Sequence, residues 1–577
     1  MKLVVPLVAA ALASAALAAA QYSRRKKQQE AAAYVALMRG LAQPRRYRDA
    51  PIVIVVDVGS SSIRASCFAL VPQPSSASAT TVNASRSNSG VEWVLINGSL
   101  QQLHSDCIDA NGEADILQVA AKVETVVDGA LQFLRATQLT NKIVGVGFST
   151  FAMNILGIDD KGSPVSPVYT YAGRRPSTAA HARELRDVLI VRGALSEFHD
   201  RTGTVIHPAY APAEFSRLHA EEPATVARVY KWQSISGYLI GRWTHAAQKN
   251  KGCVPMSFSE ASWTGLFDFR HWQWDRALLD LVHMDVSKMP PLADSSTPFS
   301  GLKAEFSRRW PELQSVPFFL GIADGAAANI GSKCIDNSRI AVTIGTSAAI
   351  RIVLDSSAMQ GTKVPKGLWC YRIGRDHVLL GGALNDGGSV YQFFRRILRL
   401  TDQDLNENLK KVRPNQHGLA ILPFLSGERA PGWLENATCA ITGINKWTTP
   451  VEVLHAALES VALRISLVFS LLAVYADPNA VIIASGTALT ASNVWRQMLA
   501  DSMGKDLVLE KDAVETTSRG IAIFVGSFLG LHSLQQGAML PPKDQLLRSR
   551  PDVTAHAAYL ETRHEQEFLY RKLYADQ

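Results

Sequence analysis

Two short segments, far apart in the chain, share one pattern that restricts the fold more than any other feature. VVDVGSSSIRA begins at Val55 and AVTIGTSAAIR at Ala341. Each reads as an apolar strand, a turn of glycine and small hydroxyl residues, and a second strand, with Gly59 and Gly345 in corresponding places. Such a run predicts a hairpin, and its recurrence points to a duplicated unit. A chain of 577 residues is too long for one ordinary core and fits two α/β domains of roughly 200 to 270 residues each.

The intervening pattern agrees. Val91–Ile96 reads as a strand, Ile116–Leu134 has the apolar spacing of a helix, and Ile143–Phe148 is a buried strand that runs into Ser149 and Thr150. Strands alternating with helices imply an α/β class. Pro72 to Gly90 is rich in Ser, Asn and Pro and reads as a solvated insertion. A Pro-rich stretch, Met289 to Pro298, and the segment up to Pro317 separate the halves. The expected division is a leader and basic connector over 1–50, domains over 51–316 and 317–546, and a helical tail over 547–577.

The net charge of +8 suggests a nucleic-acid partner until it is located. Nine Lys/Arg against two acidic residues lie within residues 1–50, so the body is near neutral and no nucleic-acid partner is expected. Leu3 to Ala20 is an apolar run followed by Arg24-Arg25-Lys26-Lys27. It can be a cleaved signal, a short anchor, an organelle presequence or a buried helix. The basic cluster favours membrane contact through residues 3–27 with the body on the cytoplasmic side. The six cysteines are scattered without a CxxC pair, which reads as reduced thiols.

Apolar strands ending in Gly and small hydroxyl residues suit phosphate, because the backbone can approach closely while N–H and hydroxyl groups donate to the anion. Asp57 ends the first strand, where a carboxylate can hold a Mg²⁺ shell. Asp324 ends the apolar FFLGIA and opens an alanine-rich helix. There it can cap the helix or accept a proton from an attacking hydroxyl.

Six segments extend this reading: DVGSSS, GIADGAAANIG, AVTIGTSAAIR, GGALNDGG, LPFLSGERAPGW and TTPVEVLHAALESVALR. In this order, from about Ile52 to Leu531, they resemble the FGGY carbohydrate kinases. RTGTVIHP, TGLFDF and GERAPGW look most like the gluconate kinase branch. The resemblance implies two ribonuclease-H-like domains of the actin-like ATPase class around a cleft, and ATP and Mg²⁺ as cofactors. It also implies phosphorylation of a hydroxyl on a sugar or sugar acid, gluconate-like or a pentulose. Asp324 matches the general base, and Asp57 and Asp324 the carboxylates beside the metal. Gly59, Ser60 and Ser61 match the first phosphate turn, Gly345 and Thr346 the second, Gly387 and Gly388 the glycine pair near the nucleotide, and Gly486 and Thr487 the adenosine motif. Thr150, Arg175 and His207 are the candidate acceptor contacts, Arg175 because its fork matches a carboxylate.

Several positions depart from the family pattern. Thr487 stands where a second glycine is common, and a β-branched residue restricts the backbone there. Met153, Tyr171, Gly173, Glu214 and Ser257 replace more usual residues on the sugar side, which implies altered substrate choice. Glu428 and Arg429 are expected to form an internal ion pair. A membrane-tethered pseudokinase or sugar-binding protein on the same scaffold is the alternative, and a wider actin-like ATPase a further one. The sequence leaves the oligomeric state open, a dimer included.

Overall fold

The computed structural model describes residues 47–574 apart from 74–89, 98–99, 104–106, 108, 174, 250–252, 402, 512 and 514. The expected hydrophobic leader and its membrane contact lie outside the described residues. So does most of the Ser/Pro-rich insertion.

The repeated hairpins form the centres of two sheets. In the first, Ile52–Val58 pairs antiparallel with Ser62–Pro72 and parallel with Ile143–Thr150. In the second, Arg339–Ile344 pairs antiparallel with Ala348–Asp355 and parallel with Val481–Ser485. All seven residues Ile52–Val58 are buried, Asp57 among six β-branched side chains packed on both faces of a central strand. Register makes the duplication concrete. Asp57 lies beside Ser149 on its parallel neighbour, and Thr343, also two residues before the turn glycine, lies beside Ser485 with hydroxyls 2.8 Å apart.

Phe318–Phe319 and Ile322–Ala323 both pair with Ile143–Thr150. The chain therefore leaves the first sheet after Ala323, later than the expected boundary at 316/317. A proline cluster interrupts the pattern before these strands, but their apolar side chains complete the first core. The second sheet also takes in Leu546–Ser549 as an edge strand against Leu507–Glu510, so the expected tail boundary at 546/547 cuts a strand.

Two helices cross between the sheets. Asp324–Gly331 leaves the first sheet and packs along Thr516–Phe528, which in turn covers strands Ile52–Val58 and Ile143–Thr150. Gly331 and Gly520 lie at the crossing, where each backbone touches the other helix. The contact holds the second half of the helix that begins at Asp324.

Helix Pro450–Leu472 supports the second sheet from behind. A capping box starts it: Thr449 Oγ1 accepts from the Glu452 N–H, and the Glu452 carboxylate accepts from the Thr449 N–H. Among the described residues it alone is long and apolar enough to cross a membrane, but it is mostly buried in the core. Its Arg464 pairs with buried Glu428, and Tyr570 of the terminal helix Val553–Tyr574 donates to Glu428 Oε2 at 2.6 Å. The tail is thereby tied to the second domain. Glu428 is used up in this triad, so the expected Glu428–Arg429 pair does not form.

Candidate active site

A cavity of about 270 Å³ opens between the two sheets. Ser60, Asp324 and Gly325 reach it from the first sheet, and Ser347, Ala349 and Arg351 from the second. The turns that the sequence pairs therefore face one cleft.

In the first turn the Gly59 N–H donates to Ser62 O at 3.0 Å, leaving Ser60 and Ser61 exposed at its tip. In the second, the Gly345 N–H donates to Ser347 O at 2.9 Å. The Gly387 N–H donates to Thr346 O at 2.9 Å and the Gly388 N–H to Gly345 O at 2.8 Å. These bonds dock the start of helix Gly388–Ile397 onto the turn. The first N–H groups of that helix are thus taken by carbonyls of the turn, and it is the small residues around the loop that let a phosphate approach the backbone.

Gly486 has φ +97° and precedes helix Thr487–Ala491. A side chain on it would meet the Ile344 backbone. Thr487 is the exposed first residue of that helix and is not among the positive-φ positions. Its β-branch therefore meets no backbone restriction, contrary to the sequence expectation. Thr487→Gly is expected to change nucleotide affinity by less than about threefold, since Thr487 is exposed and the two residues differ by only a few tenths of a kcal/mol within a helix. Calorimetry with ATP checks this, and a large gain would mean that the threonine side chain obstructs the nucleotide.

Asp57 is buried, and its Oδ2 accepts from Arg64 Nη1 at 3.1 Å. The same Nη1 donates to Glu515 Oε2 at 3.1 Å. Asp57 Oδ1 is buried without a hydrogen-bond partner. Burial pushes the Asp57 carboxyl up to about 7; Arg64 opposes this, while Asp324 and Glu515 add to it. Asp324 Oδ1 accepts the Gly325 N–H at 2.6 Å. Its helix has no side-chain cap, so Asp324 is not the capping residue. Burial also raises the Asp324 carboxyl, against the lowering effect of Arg351. Two neighbouring carboxylates, one with an orphaned oxygen, fit a hard divalent cation with oxygen ligands.

The raised carboxyl has a consequence for stability. The folded state holds the Asp57 proton to about 7 against a usual 3.8, so this group lowers folding stability as pH rises through that window. Asp57→Asn removes the penalty. The variant is expected to melt above the parent at about pH 8 and to lose that advantage at about pH 4, where Asp57 is protonated in the folded protein. An advantage that is the same at both pH values would contradict the raised carboxyl.

The three candidate acceptor contacts fare differently. Thr150 is fully buried; its hydroxyl donates to Glu260 Oε1 at 3.2 Å and accepts from Asn154 Nδ2 at 3.1 Å, away from the cleft. Arg175 binds Glu113 through two bonds of 2.5 and 3.2 Å in a side recess with only about 20 Å³ of room. His207 accepts the Ala209 N–H at 3.1 Å and stacks edge-on against Trp433, ring centres 5.2 Å apart. Burial, then Arg429 and Arg186, push its imidazole down to about 3, so it is neutral and supports the Trp433 wall.

Sequence reasoning missed Arg64, Glu515, Trp263 and Arg351. Arg351 carried the clearest signal, a lone arginine inside an apolar strand just after a small-residue turn. His417, His455 and Glu459 form a buried cluster with metal-ligand spacing in the second domain. However, His417 Nδ1 accepts the Leu419 N–H at 3.0 Å, so its proton lies on Nε2, which donates to Glu459 Oε2 at 2.7 Å. No lone pair remains there for a metal.

Two α/β sheets built around equivalent hairpins, with crossing helices and a cleft between the turns, define the actin-like ATPase class of fold. The N-terminal domain of the FGGY family of carbohydrate kinases matches residues 52–331, and the C-terminal domain matches residues 340–527. The chain belongs to the FGGY family of carbohydrate kinases and is a sugar kinase. It is 26% identical over 404 residues to a gluconokinase of Bacillus subtilis (strain 168), covering 68% of this chain and 74% of that one. An apulose kinase of Pectobacterium atrosepticum is 24% identical over 456 residues, or 77% and 87% of the two chains. A gluconate kinase structure from Lactobacillus acidophilus superposes with a TM-score of 0.76 at 21% identity, covering 92% of this chain and 99% of that one.

Proposed function

We propose that this chain transfers the γ-phosphoryl group of ATP to a hydroxyl of a small sugar or sugar acid, gluconate-like or a pentulose. The observation that carries the reading is Asp324 at a cleft flanked by Ser60 of one turn and Ser347 of the other. The acceptor hydroxyl attacks the γ-phosphorus, its proton passes to Asp324, and the bond to the bridging oxygen breaks to release ADP. The two turns hold the phosphates in line, so most of the rate comes from positioning and charge stabilisation. Asp57 and Asp324 would hold Mg²⁺, which supplies charge neutralisation on the phosphates when bound. Glu515 shares Arg64 Nη1 with Asp57 Oδ2, and Asp57 Oδ1 is left without a hydrogen-bond partner.

The names of the relatives, gluconokinase among them, support a sugar-acid acceptor. A coupled ADP assay on the purified chain with ATP and Mg²⁺ tests the reading across aldonic acids, ketopentoses and polyols. Acceptor-dependent ADP release is expected. The same rate of ATP consumption with and without every acceptor would sink it.

A further inference from the structure

The unpartnered buried polar atoms of the cleft are one-sided. Among the described residues lining it, two buried polar atoms have no hydrogen-bond partner, Arg351 Nη1 and Trp263 Nε1, and both are donors. Unpaired buried donors are rare in folded proteins because each costs its full desolvation. Their presence in a ligand cleft calls for an acceptor-rich ligand. The charged residues lining the cleft are Asp324, Arg351 and Arg429, a net positive set even with Asp324 ionised. Arg429 has Glu428 taken from it by Arg464 and Tyr570, and its guanidinium faces the Tyr171 ring at 5.8 Å. Arg175, the arginine expected to bind a carboxylate, is already neutralised by Glu113.

Placement separates Arg351 from the phosphate turn. Arg351 lies four strand residues beyond Ser347, about 13 Å along an extended chain. It approaches Gly325, beside the candidate base, across the domain boundary.

We infer that Arg351, Arg429 and Trp263 are specificity-determining residues that select a hydroxy acid, their donors taking its carboxylate while one of its hydroxyls faces Asp324. A carboxylate accepts several bonds and pairs with a guanidinium, whereas a neutral polyol leaves the arginine charge uncompensated in a confined site. This rests on the kinase reading and narrows its acceptor.

The test compares five- and six-carbon aldonic acids with alditols of the same length, by calorimetric binding and by kcat/KM on the purified full chain. The acids are expected to be preferred by about 100-fold or more. Arg351→Met, Arg429→Met and Trp263→Phe should each shrink that preference, with KM for ATP held within about threefold, because the lost contact is to the acid alone. Alditols or ketoses bound as well as the acids by the parent protein would overturn the inference. So would variants that lower kcat equally for acid and neutral acceptors, or that mainly raise KM for ATP, since these place the donors on the phosphates. Tight acid binding lost in the variants, but without ADP formation, would support the carboxylate site while removing the kinase reading.

Discussion

Asp324→Asn is expected to lower acceptor-dependent ADP formation by about 10³-fold, the scale of a lost general base. The amide matches the carboxylate in size, and its oxygen can still accept the Gly325 N–H that Asp324 Oδ1 accepts now. It cannot take the proton of a hydroxyl. Folding should survive, because the residue is not a helix cap and carries a burial penalty when charged. Single-turnover measurements with bound ATP at saturating Mg²⁺ isolate the chemical step, and affinity for ATP measured without Mg²⁺ should stay within about threefold. Turnover within tenfold of the parent would remove Asp324 from the role of base.

Gly520→Ala is expected to damage both stability and turnover from outside the cleft. A Cβ at Gly520 would strike the Ala327 carbonyl oxygen and come within 2.7 Å of its carbon and 2.9 Å of the Gly331 nitrogen. All of these are backbone atoms of the helix that begins at Asp324, so no side chain can rotate away. Relief requires the two crossing helices to separate, at a cost of about 1–3 kcal/mol. The same shift moves Asp324 relative to the second turn, and a displacement near 1 Å costs about 100-fold in rate. Denaturant unfolding and kcat should therefore fall together. A variant with lower stability but unchanged kcat would show that the crossing does not position Asp324.

The turns were legible because both hairpins carry the same small-residue signature where an apolar strand ends. Asp57 and Asp324 were legible as strand-end carboxylates for the same local reason. Thr150 and Arg175 were read as ligand contacts because their partners lie far off in sequence: Glu260 is 110 residues from Thr150 and Glu113 is 62 residues before Arg175. Local pattern does not reveal that a hydroxyl or guanidinium is already satisfied by a distant carboxylate. Arg351 and Trp263 escaped notice for the converse reason. Arg351 sits in an apolar strand and Trp263 is a buried aromatic, so a core role is the ordinary expectation for each, and only the meeting of the two sheets makes both line a cavity. The boundary at 316/317 failed similarly, since the parallel pairing of Ile322–Ala323 with Ile143–Thr150 is a long-range choice that the preceding prolines obscure.

The most direct measurement is phosphorus NMR of the purified chain with Mg²⁺-ATP and an aldonic acid, following every phosphorus species over time. The account predicts a phosphomonoester of the acid appearing in one-to-one proportion with ADP, and no such signal from Asp324→Asn over the same interval. Inorganic phosphate accumulating with ADP and no phosphomonoester, across acids, ketoses and polyols alike, would contradict transfer to a sugar hydroxyl.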